Sequence, residues 1–316
     1  MKLSLKYLLF IITIISSNVS YILSKSSSKN NSIKSTNKNS VKSLKSSDII
    51  QENLNILKTL TTDKHYTETL TKITADPKKS QLLNKLIKEK DFDLKNNDFE
   101  SKRLKKVKEF WGDKKHEGVD VVAGKKFLRD IDDKGTIQIL KELKEKNLIH
   151  TQTDYLLELA AGIGRISKNI FVKWFNKIDA LEPSPVLADK IKELQKSESK
   201  IKNVYVKTGE NFTYERKYNV IFASWLLENM TDASVIKFLI KTRENLVDNG
   251  VFILKENVSN NHINVDSDGM SQRIRTVKLY KLIFELVGLK LIINRETKQW
   301  PKSYYMLREF VLVKNK

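Results

Sequence analysis

The stretch LLELAAGIGRISKNIF, Leu156 to Phe171, decides the fold. An apolar run typical of a buried strand passes through small residues into a helical pattern. The spacing matches the E-x-G-x-G-x-G motif that follows the first strand of many α/β nucleotide binders, and the residues on it are Glu158, Ala160, Gly162 and Gly164. Small residues suit a turn whose backbone passes close to a ligand. The turn therefore indicates a nucleotide site, with an ordinary strand-to-helix corner as the alternative.

Around this turn, short apolar runs alternate with helical patterns from Val107 to the C-terminus. The runs are rich in Ile and Val without strict polar alternation, which is typical of strands that are buried on both faces. We therefore predict an α/β fold with a doubly wound sheet and helices on both faces. The last two runs, LKLIINRE and REFVLVKN, have no helical pattern between them and predict an antiparallel hairpin at the edge of the sheet.

An acidic residue supports the nucleotide interpretation. Glu182 ends the next apolar run, KIDALE, 18 residues after Gly164, where a carboxylate can accept hydrogen bonds from a ribose diol. A solvated glutamate at a strand end is the alternative. Arg165 directly follows the turn and suits a ligand carboxylate, because a guanidinium donates two parallel hydrogen bonds to that group.

These features favour S-adenosylmethionine as the cofactor, because it has a ribose and a carboxylate but no pyrophosphate. A dinucleotide would profit from three glycines under its pyrophosphate, whereas this turn has two. The chain also lacks the G-x-x-x-x-G-K-[ST] motif of P-loop nucleotide binders.

Polar and aromatic residues follow the next predicted strands, at the carboxyl edge where open α/β sheets bind ligands. YNVIFASWLLENMTD contains Ser224, Trp225, Glu228 and Asn229, and GVFILKEN ends in Lys255, Glu256 and Asn257. An aromatic side chain at this edge can face a cationic or prolyl substrate. Core packing is the alternative for Trp225.

A polar loop after KEN carries His262, Asp266 and Asp268. Methyl transfer to an amine needs a neutral nitrogen, whereas an α-amine is largely protonated below its ordinary pKa of about 7.7 to 8.0. A nearby carboxylate or imidazole can bind the ammonium and accept its proton. The three residues are candidates for that role, and each could instead be an exposed loop residue.

Composition excludes several kinds of chemistry. The chain has no Cys, so thiolate catalysis, disulfides and Cys-bound zinc are excluded, and we predict no metal site. The formal charge of +20 is compatible with nucleic-acid binding, but eight of the lysines lie in residues 1–47, which hold no acidic residue. We interpret the remaining charge as a lysine-rich solvated surface and expect no direct nucleic-acid binding.

The first 47 residues are interpreted as a leader. Lys2 and Lys6 precede the apolar run YLLFIITII and a small-residue segment, the order of a secretory signal peptide or signal anchor over residues 1–24. Residues 25–47, rich in Lys, Ser and Asn, are predicted to be disordered. Such a two-part leader resembles those of proteins sent to the relict plastid of apicomplexan parasites. Residues 48–103 show amphipathic helical patterns and precede a predicted domain at 104–316.

Six segments, in order, resemble the alpha-N-terminal protein methyltransferases, which methylate the α-amine of proteins that begin Xaa-Pro-Lys. They are EFWGDKKHEGVDVVAG, LELAAGIGRISKNIF, IDALEPS, YNVIFASWLLENMTD, NGVFILKEN and QWPKSYYMLREFVLV, and the match covers about Val107 to Lys316. The resemblance implies a class I methyltransferase, Rossmann-like fold with a seven-stranded, mostly parallel sheet. It also implies S-adenosyl-L-methionine as the cofactor and in-line methyl transfer to a protein substrate with a free N-terminus.

The resemblance implies roles for particular positions. The group expected to line the cofactor pocket is Trp111, Ala160, Gly162, Arg165, Glu182, Glu210 and Ser224. The group expected to bind the first residues of the substrate is Trp225, Asn229, Asn257 and Tyr305. The group expected to hold the substrate terminus and accept its proton is Asp266, Asp268 and Asn257.

Three positions depart from the family pattern: Ala160 replaces the first turn glycine, Ser224 the adenine-side glutamine, and Asn229 a histidine. Asn cannot act as a general base, so slower catalysis or a different acceptor would follow. Two alternatives therefore stay open, methylation of a small amine or phospho-base and a non-catalytic cofactor binder. The leader predicts entry into the secretory pathway, with membrane contact only if it stays uncleaved, whereas the family is usually found in the cytoplasm and nucleus.

Overall fold

The computed structural model of the chain describes residues 46–88, 92, 97–112, 126–267 and 270–315. The predicted signal segment 1–24 lies outside these residues, and so does the disordered segment predicted at 25–47, except for its last two residues. Within the described ranges, no helix combines the length and the apolar content that a bilayer crossing requires.

A seven-stranded sheet lies at the centre of the described chain. In chain order the strands are β1 (Tyr155–Leu159), β2 (Lys177–Leu181), β3 (Ile201–Tyr205), β4 (Tyr218–Ser224), β5 (Leu246–Val258), β6 (Ile263–Ser267), β7 (Met270–Ile274), β8 (Leu289–Glu296) and β9 (Met306–Lys314). The sheet has the order β3-β2-β1-β4-β5-β9-β8, with β9 antiparallel to both neighbours and the other pairs parallel, while β6 and β7 form a separate hairpin. The predicted mostly parallel sheet and its closing antiparallel hairpin are confirmed. Within that hairpin, β8 is the edge strand of the sheet.

Helices precede the sheet and connect its strands. In chain order they are α1 (Ser46–Lys58), α2 (Lys64–Ala75), α3 (Pro77–Ile87), α4 (Asn97–Gly112), α5 (Lys126–Glu145), α6 (Val172–Trp174), α7 (Pro185–Ser197), α8 (Asp232–Glu244) and α9 (Val277–Leu286). α6 continues a π-helical turn at Ser167–Phe171. Hydroxyl caps start three of the helices: Ser184, Thr231 and Thr276 each accept a hydrogen bond from an amide of the first turn.

Both faces of the sheet are buried, as the apolar composition of the strands predicts. Leu157, Ile221 and Phe252 belong to one apolar cluster, which also contains residues of α8 and α9. Leu156 and Phe222, one position away on the same strands, belong to a second cluster with residues of α5 and of the π-helical turn. Helices on both faces are therefore confirmed, and the carboxyl ends of the parallel strands meet at one edge of the sheet.

The N-terminal helices share this core. Ile73 of α2 and Leu83 of α3 are buried in the cluster that contains α8 and α9. α2 and α3 are separated at Asp76-Pro77, where Asp76 caps α3 by accepting hydrogen bonds from two amides of its first turn. The domain boundary that the sequence places after residue 103 falls inside α4.

Ile73→Ala tests whether α1 to α3 share one core with the sheet. Ile73 is fully buried, so its truncation is expected to lower the free energy of unfolding by ~2–5 kcal/mol and to shift one denaturant transition of the whole chain. Ile49→Ala, at an exposed position of α1, is the control and should change that free energy by less than about 0.5 kcal/mol. A separate early transition in Ile73→Ala, with the main transition unmoved, would contradict the shared core.

Candidate active site

The turn after β1 places three residues in the left-handed backbone region: Ala160 (φ +52°), Gly162 (φ +60°) and Gly164 (φ +77°). Glycine adopts this conformation freely, whereas the Cβ of Ala160 costs about 1–2 kcal/mol there. A Cβ on Gly164 would lie 3.1 Å from Ile191 of α7, while one on Gly162 would meet none of the described atoms within 4 Å. The strained alanine and the open side of Gly162 distinguish this turn from an ordinary corner.

Glu182 holds the turn from the end of β2. Its Oε2 accepts a hydrogen bond from the Gly162 amide at 2.8 Å, and its Oε1 accepts one from the Ser184 amide at 2.9 Å. Burial raises the pKa of the Glu182 carboxyl to about 7, although both amides oppose the shift. Each oxygen can accept a further hydrogen bond, so these contacts are compatible with the ribose contact that the sequence predicts.

A pocket lies beside the turn. Among the residues that line it are Ala160, Gly162, Arg165 and Ser224, four of the predicted cofactor residues. The Oγ of Ser224 is buried and has no hydrogen-bond partner among the described residues, which leaves a hydroxyl for a ligand. This hydroxyl, the open side of Gly162 and the acceptor oxygens of Glu182 fit the nucleoside of S-adenosylmethionine.

Glu158 is also a buried carboxylate and, unlike Glu182, it lines the pocket. It accepts a hydrogen bond from the Ser167 hydroxyl at the start of the π-helical turn. Burial raises the pKa of Glu158 to about 7, with Ser167 and Arg165 opposing the shift. Glu158 therefore connects β1 to the π-helical turn, a role that its place in the motif does not indicate.

Arg165 pairs with two aspartates of α5. Its guanidinium donates hydrogen bonds to Asp132 and Asp133, whereas the sequence predicts a ligand carboxylate as its partner. Asp132 also pairs with the buried Lys255 of β5, at 2.5 Å between Nζ and Oδ1. Burial favours a higher pKa for Asp132, but Lys255 and Arg165 outweigh it and hold the pKa below its ordinary value. Arg165 thus orders the pocket wall, and its contact with a cofactor carboxylate stays a prediction.

Arg103 of α4 joins two loops at the carboxyl edge. It donates one hydrogen bond to the Glu210 carboxylate, after β3, and one to the Asn229 carbonyl, after β4. Glu210, which is predicted to lie near the adenine, is thereby an ion-pair partner of α4. The side chain of Trp111, in the last turn of that helix, lies outside the described residues.

Trp225 turns the chain sharply after β4. Its φ is +51°, and its amide still donates to the Lys255 carbonyl of β5 at 2.9 Å. The turn directs the next two amides, of Leu226 and Leu227, at Oε1 of Glu256, at 2.8 and 2.6 Å. The Oε2 of Glu256 is buried without a partner in the part of the chain that the structure describes. The left-handed backbone of Trp225 and the buried carboxylate of Glu256 together fix this turn. Trp225 lines the pocket from the turn.

A chain of hydrogen bonds connects the predicted acceptor residues. Asn257 Nδ2 donates to Glu228 Oε2 at 2.9 Å. Gln272 Nε2 contacts both Glu228 Oε1 and Asn229 Oδ1 at 3.3 Å, and Asn229 Nδ2 donates to the Trp225 carbonyl at 3.0 Å. Burial raises the pKa of Glu228 to about 7, against the hydrogen bond from Asn257. The structure therefore brings Trp225, Asn229 and Asn257 together around Glu228.

Aromatic residues from the loop between β8 and β9 pack near Trp225. The ring centroids of Trp225 and Trp300 are 6.2 Å apart, and those of Trp300 and Tyr304 are 6.4 Å apart. Trp300 Nε1 donates to the Tyr305 carbonyl at 2.9 Å, which closes the loop on itself. Tyr305, a predicted substrate residue, is half-buried and lies in the loop that contacts Trp225.

The predicted catalytic aspartates, Asp266 and Asp268, follow β5 in the sequence. Asp266 lies on β6, but its side chain lies outside the described residues, as does the whole of Asp268. The chain that leaves the hairpin is tied to α8, because Arg275 donates to Asp232 at 2.6 Å. His262 is half-buried in the loop before β6. Among the described residues, no group of three or more His, Asp or Glu is arranged to hold a metal ion.

Sequence reasoning does not identify three contributors: Arg103, Asp132 and Gln272. Each bonds a partner 33 or more positions away in the chain, so no spacing rule relates the two residues. Asp132 alone gives a signal, since it falls on the buried face of α5 between Leu128 and Thr136. An acid on an apolar helix face indicates a buried cation as its partner.

Comparison with known proteins identifies relatives of the chain. The family model for AdoMet dependent proline di-methyltransferases matches residues 99–313. The alpha N-terminal protein methyltransferase 1 of Dictyostelium discoideum is 27% identical over 237 residues, which cover 71% of this chain and 84% of that protein. The N-terminal Xaa-Pro-Lys N-methyltransferase 1 of Xenopus tropicalis is 25% identical over 210 residues, which cover 66% of this chain and 93% of that protein.

A solved structure has the same fold. A SAM-dependent methyltransferase from Leishmania major matches with a TM-score of 0.59 and 25% identity, over 70% of this chain and 86% of that one. The seven-stranded sheet of the present chain is therefore that of a class I methyltransferase.

Glu182→Gln is expected to weaken binding of S-adenosylhomocysteine by about 10- to 100-fold, because a hydrogen bond to a charged group contributes roughly 1.5–3 kcal/mol. Calorimetric titration at pH 8, above the raised pKa of Glu182, measures the dissociation constant. In the unsubstituted chain the affinity should fall below pH 7, where protonation removes an acceptor. The control is Glu215→Gln, an exposed carboxylate that bonds the Tyr205 hydroxyl. Equal affinities for the two variants would refute the ribose contact.

Proposed function

The chain belongs to the AdoMet dependent proline di-methyltransferase family, and on that premise we propose that it methylates the α-amine of protein N-termini of the Xaa-Pro-Lys type. The observation that supports this most is the position of Trp225. Trp225 lines the cofactor pocket, and its carbonyl accepts a hydrogen bond from Asn229. A series of hydrogen bonds continues from Asn229 through Gln272 and Glu228 to Asn257. The methyl donor and the acceptor amine would meet at this residue. The N-terminal Xaa-Pro-Lys N-methyltransferase activity in the name of the Xenopus relative supports the choice of acceptor.

The residues at the candidate cofactor site have distinct tasks in this proposal. Glu182 accepts hydrogen bonds from the ribose, Gly162 lets the backbone approach the ligand, and Ser224 offers its hydroxyl to the nucleoside. When bound there, S-adenosylmethionine supplies an electrophilic methyl group on its sulfonium. Arg165 would bind the cofactor carboxylate by sharing N–H groups with the aspartates of α5.

The acceptor residues must present a neutral amine in line with the bond that breaks. An α-amine has an ordinary pKa of about 7.7 to 8.0, so one proton has to leave before transfer. Asn229 cannot accept that proton, and its carboxamide instead bonds the Trp225 carbonyl and Gln272. The proton therefore passes to a carboxylate or to water, with Asp266 and Asp268 as the residues that the family resemblance assigns to the amine.

Membership of the family favours a protein amine over the small amines and phospho-bases that the fold also accommodates. A non-catalytic binder is the remaining alternative, because Asn229 replaces the expected histidine. A transfer assay decides between them.

Peptides that begin Ser-Pro-Lys or Ala-Pro-Lys are expected to take up label when the full chain is incubated with methyl-labelled S-adenosylmethionine. Their N-acetylated forms are the matched controls and should stay unlabelled, because an amide nitrogen has no free lone pair. Mass spectrometry locates the methyl group on the terminal nitrogen. Label on lysine in the acetylated controls, or no transfer by protein that binds the cofactor, would overturn the proposed activity.

For the leader, we propose that residues 1–47 direct the chain into the secretory pathway, on the basis of the order of basic, apolar and small residues in the first 24. A fluorescent fusion of residues 1–100 is expected to enter the endoplasmic reticulum, whereas a fusion of residues 48–100 should stay diffuse. A diffuse signal from both fusions would refute the proposal.

A further inference from the structure

Glu228 lies where three elements meet. It belongs to the 3-10 turn Leu227–Asn229 after β4 and is buried. Its two carboxylate oxygens accept hydrogen bonds from side chains on different strands: Oε2 from Asn257 of β5 and Oε1 from Gln272 of β7. One carboxylate thus connects the end of the central sheet with the β6–β7 hairpin.

The chemistry of these contacts gives Glu228 a defined task. Both neighbours present NH2 groups, and a carboxylate can accept from both, whereas a glutamine has a single acceptor oxygen. When the Nδ2 of Asn257 is bound to Glu228, its Oδ1 remains the acceptor for another donor. An N–H of an incoming amine is such a donor, and a hydrogen bond to Oδ1 would orient the nitrogen lone pair.

We propose that Glu228 is a positioning residue for methyl transfer, which orients the Asn257 carboxamide toward the acceptor amine and docks the β6–β7 hairpin through Gln272. The inference rests on the proposed function, because it needs an amine bound at Asn257. The hairpin that Gln272 docks also carries Asp266, on β6.

Charged groups face Glu228 from each element packed around it. Glu256 comes from β5, Arg275 from the chain after β7 and Tyr280 from α9, and Arg103 of α4 bonds the neighbouring Asn229 carbonyl. Burial, with the charge of Glu228 as a second cause, raises the pKa of Glu256 well above its ordinary value. The proximity of the two carboxyls therefore disfavours ionisation of both at once.

The ionised form of Glu228 is the one that accepts both hydrogen bonds. Burial raises its pKa to about 7, so the contacts with Asn257 and Gln272 are present above pH 7 and weaken as the pH falls through that value. The acceptor amine also protonates on acidification. As the pH falls, the rate of the unsubstituted enzyme should therefore respond to two protonations, one of the amine at about 7.7 to 8.0 and one of Glu228 at about 7.

Glu228→Gln in the full chain tests the inference, with a Ser-Pro-Lys peptide at saturating S-adenosylmethionine. We expect kcat/KM to fall by about 10- to 100-fold, because misplacement of a reacting group by ~1 Å costs up to that factor, and we expect most of the loss in kcat. The acidic limb of the pH profile should lose the protonation assigned to Glu228 and keep that of the amine. A purely structural role would leave the shape of that profile unchanged.

Gln272→Met removes the hydrogen bonds that the β6–β7 hairpin makes to Glu228 and Asn229. It is expected to lower kcat/KM in the same direction, and the double variant with Glu228→Gln should lose less than the product of the two single losses, because the residues act as one unit. Glu193→Gln is the matched surface control, since that carboxylate is 66% exposed on α7, and its kcat/KM should be unchanged. S-adenosylhomocysteine affinity and thermal unfolding report whether each variant is folded.

The outcomes separate the inference from the proposed function. If the unsubstituted chain transfers no methyl group to the peptide, the proposed function is refuted. An active chain in which Glu228→Gln keeps both its kcat/KM and its pH profile would overturn the role of Glu228. If Glu228→Gln does not fold, Gln272→Met decides, and an unchanged kcat/KM in that folded variant would overturn the inference as well.

Discussion

Four buried carboxylates at the carboxyl edge of the sheet hold the candidate site together. They are Glu158, Glu182, Glu228 and Glu256, which lie at or just after the ends of β1, β2, β4 and β5. Each accepts hydrogen bonds from a turn or side chain at that edge, and burial raises the pKa of each. Burial of a carboxylate is unfavourable, and the donors that it binds offset part of that free energy. The turns around the pocket are fixed as a consequence.

Ion pairs connect this edge with the rest of the fold. The fully buried Lys255 of β5 pairs with Asp132 of α5, which pairs in turn with Arg165 in the pocket wall. On the other side, Glu309 of β9 lies 4.0 Å from Lys255 and bonds Arg295 of β8 at 2.7 Å. Removal of one partner from such a network leaves an uncompensated buried charge. The pocket wall therefore depends on α5 and on the antiparallel strands at the edge of the sheet.

The fold could be predicted from the sequence because its signals are local. Buried strands are apolar runs, and the turn at Ala160 shows its small residues directly. Glu182 and Trp225 could be placed by their position after a predicted strand, and the structure brings them to one edge of the sheet. Arg165 shows the limit of such reasoning: its partners Asp133 and Asp132 lie 32 and 33 positions earlier in the chain. The sequence places Glu228 at the carboxyl edge, but its contacts with Asn257 and Gln272, 29 and 44 positions later in the chain, follow no spacing rule.

A crystal structure of the full chain with S-adenosylhomocysteine and a Ser-Pro-Lys peptide would test most directly whether methyl donor and acceptor amine meet at Trp225. We predict that the ribose hydroxyls lie within hydrogen-bond distance of Glu182, roughly 2.5–3.0 Å, and that the terminal nitrogen lies at about 2.7–3.2 Å from Asn257 Oδ1, on the side that faces the sulfur. A nucleoside bound away from the turn after β1, or a terminal nitrogen out of reach of Asn257, would contradict this account.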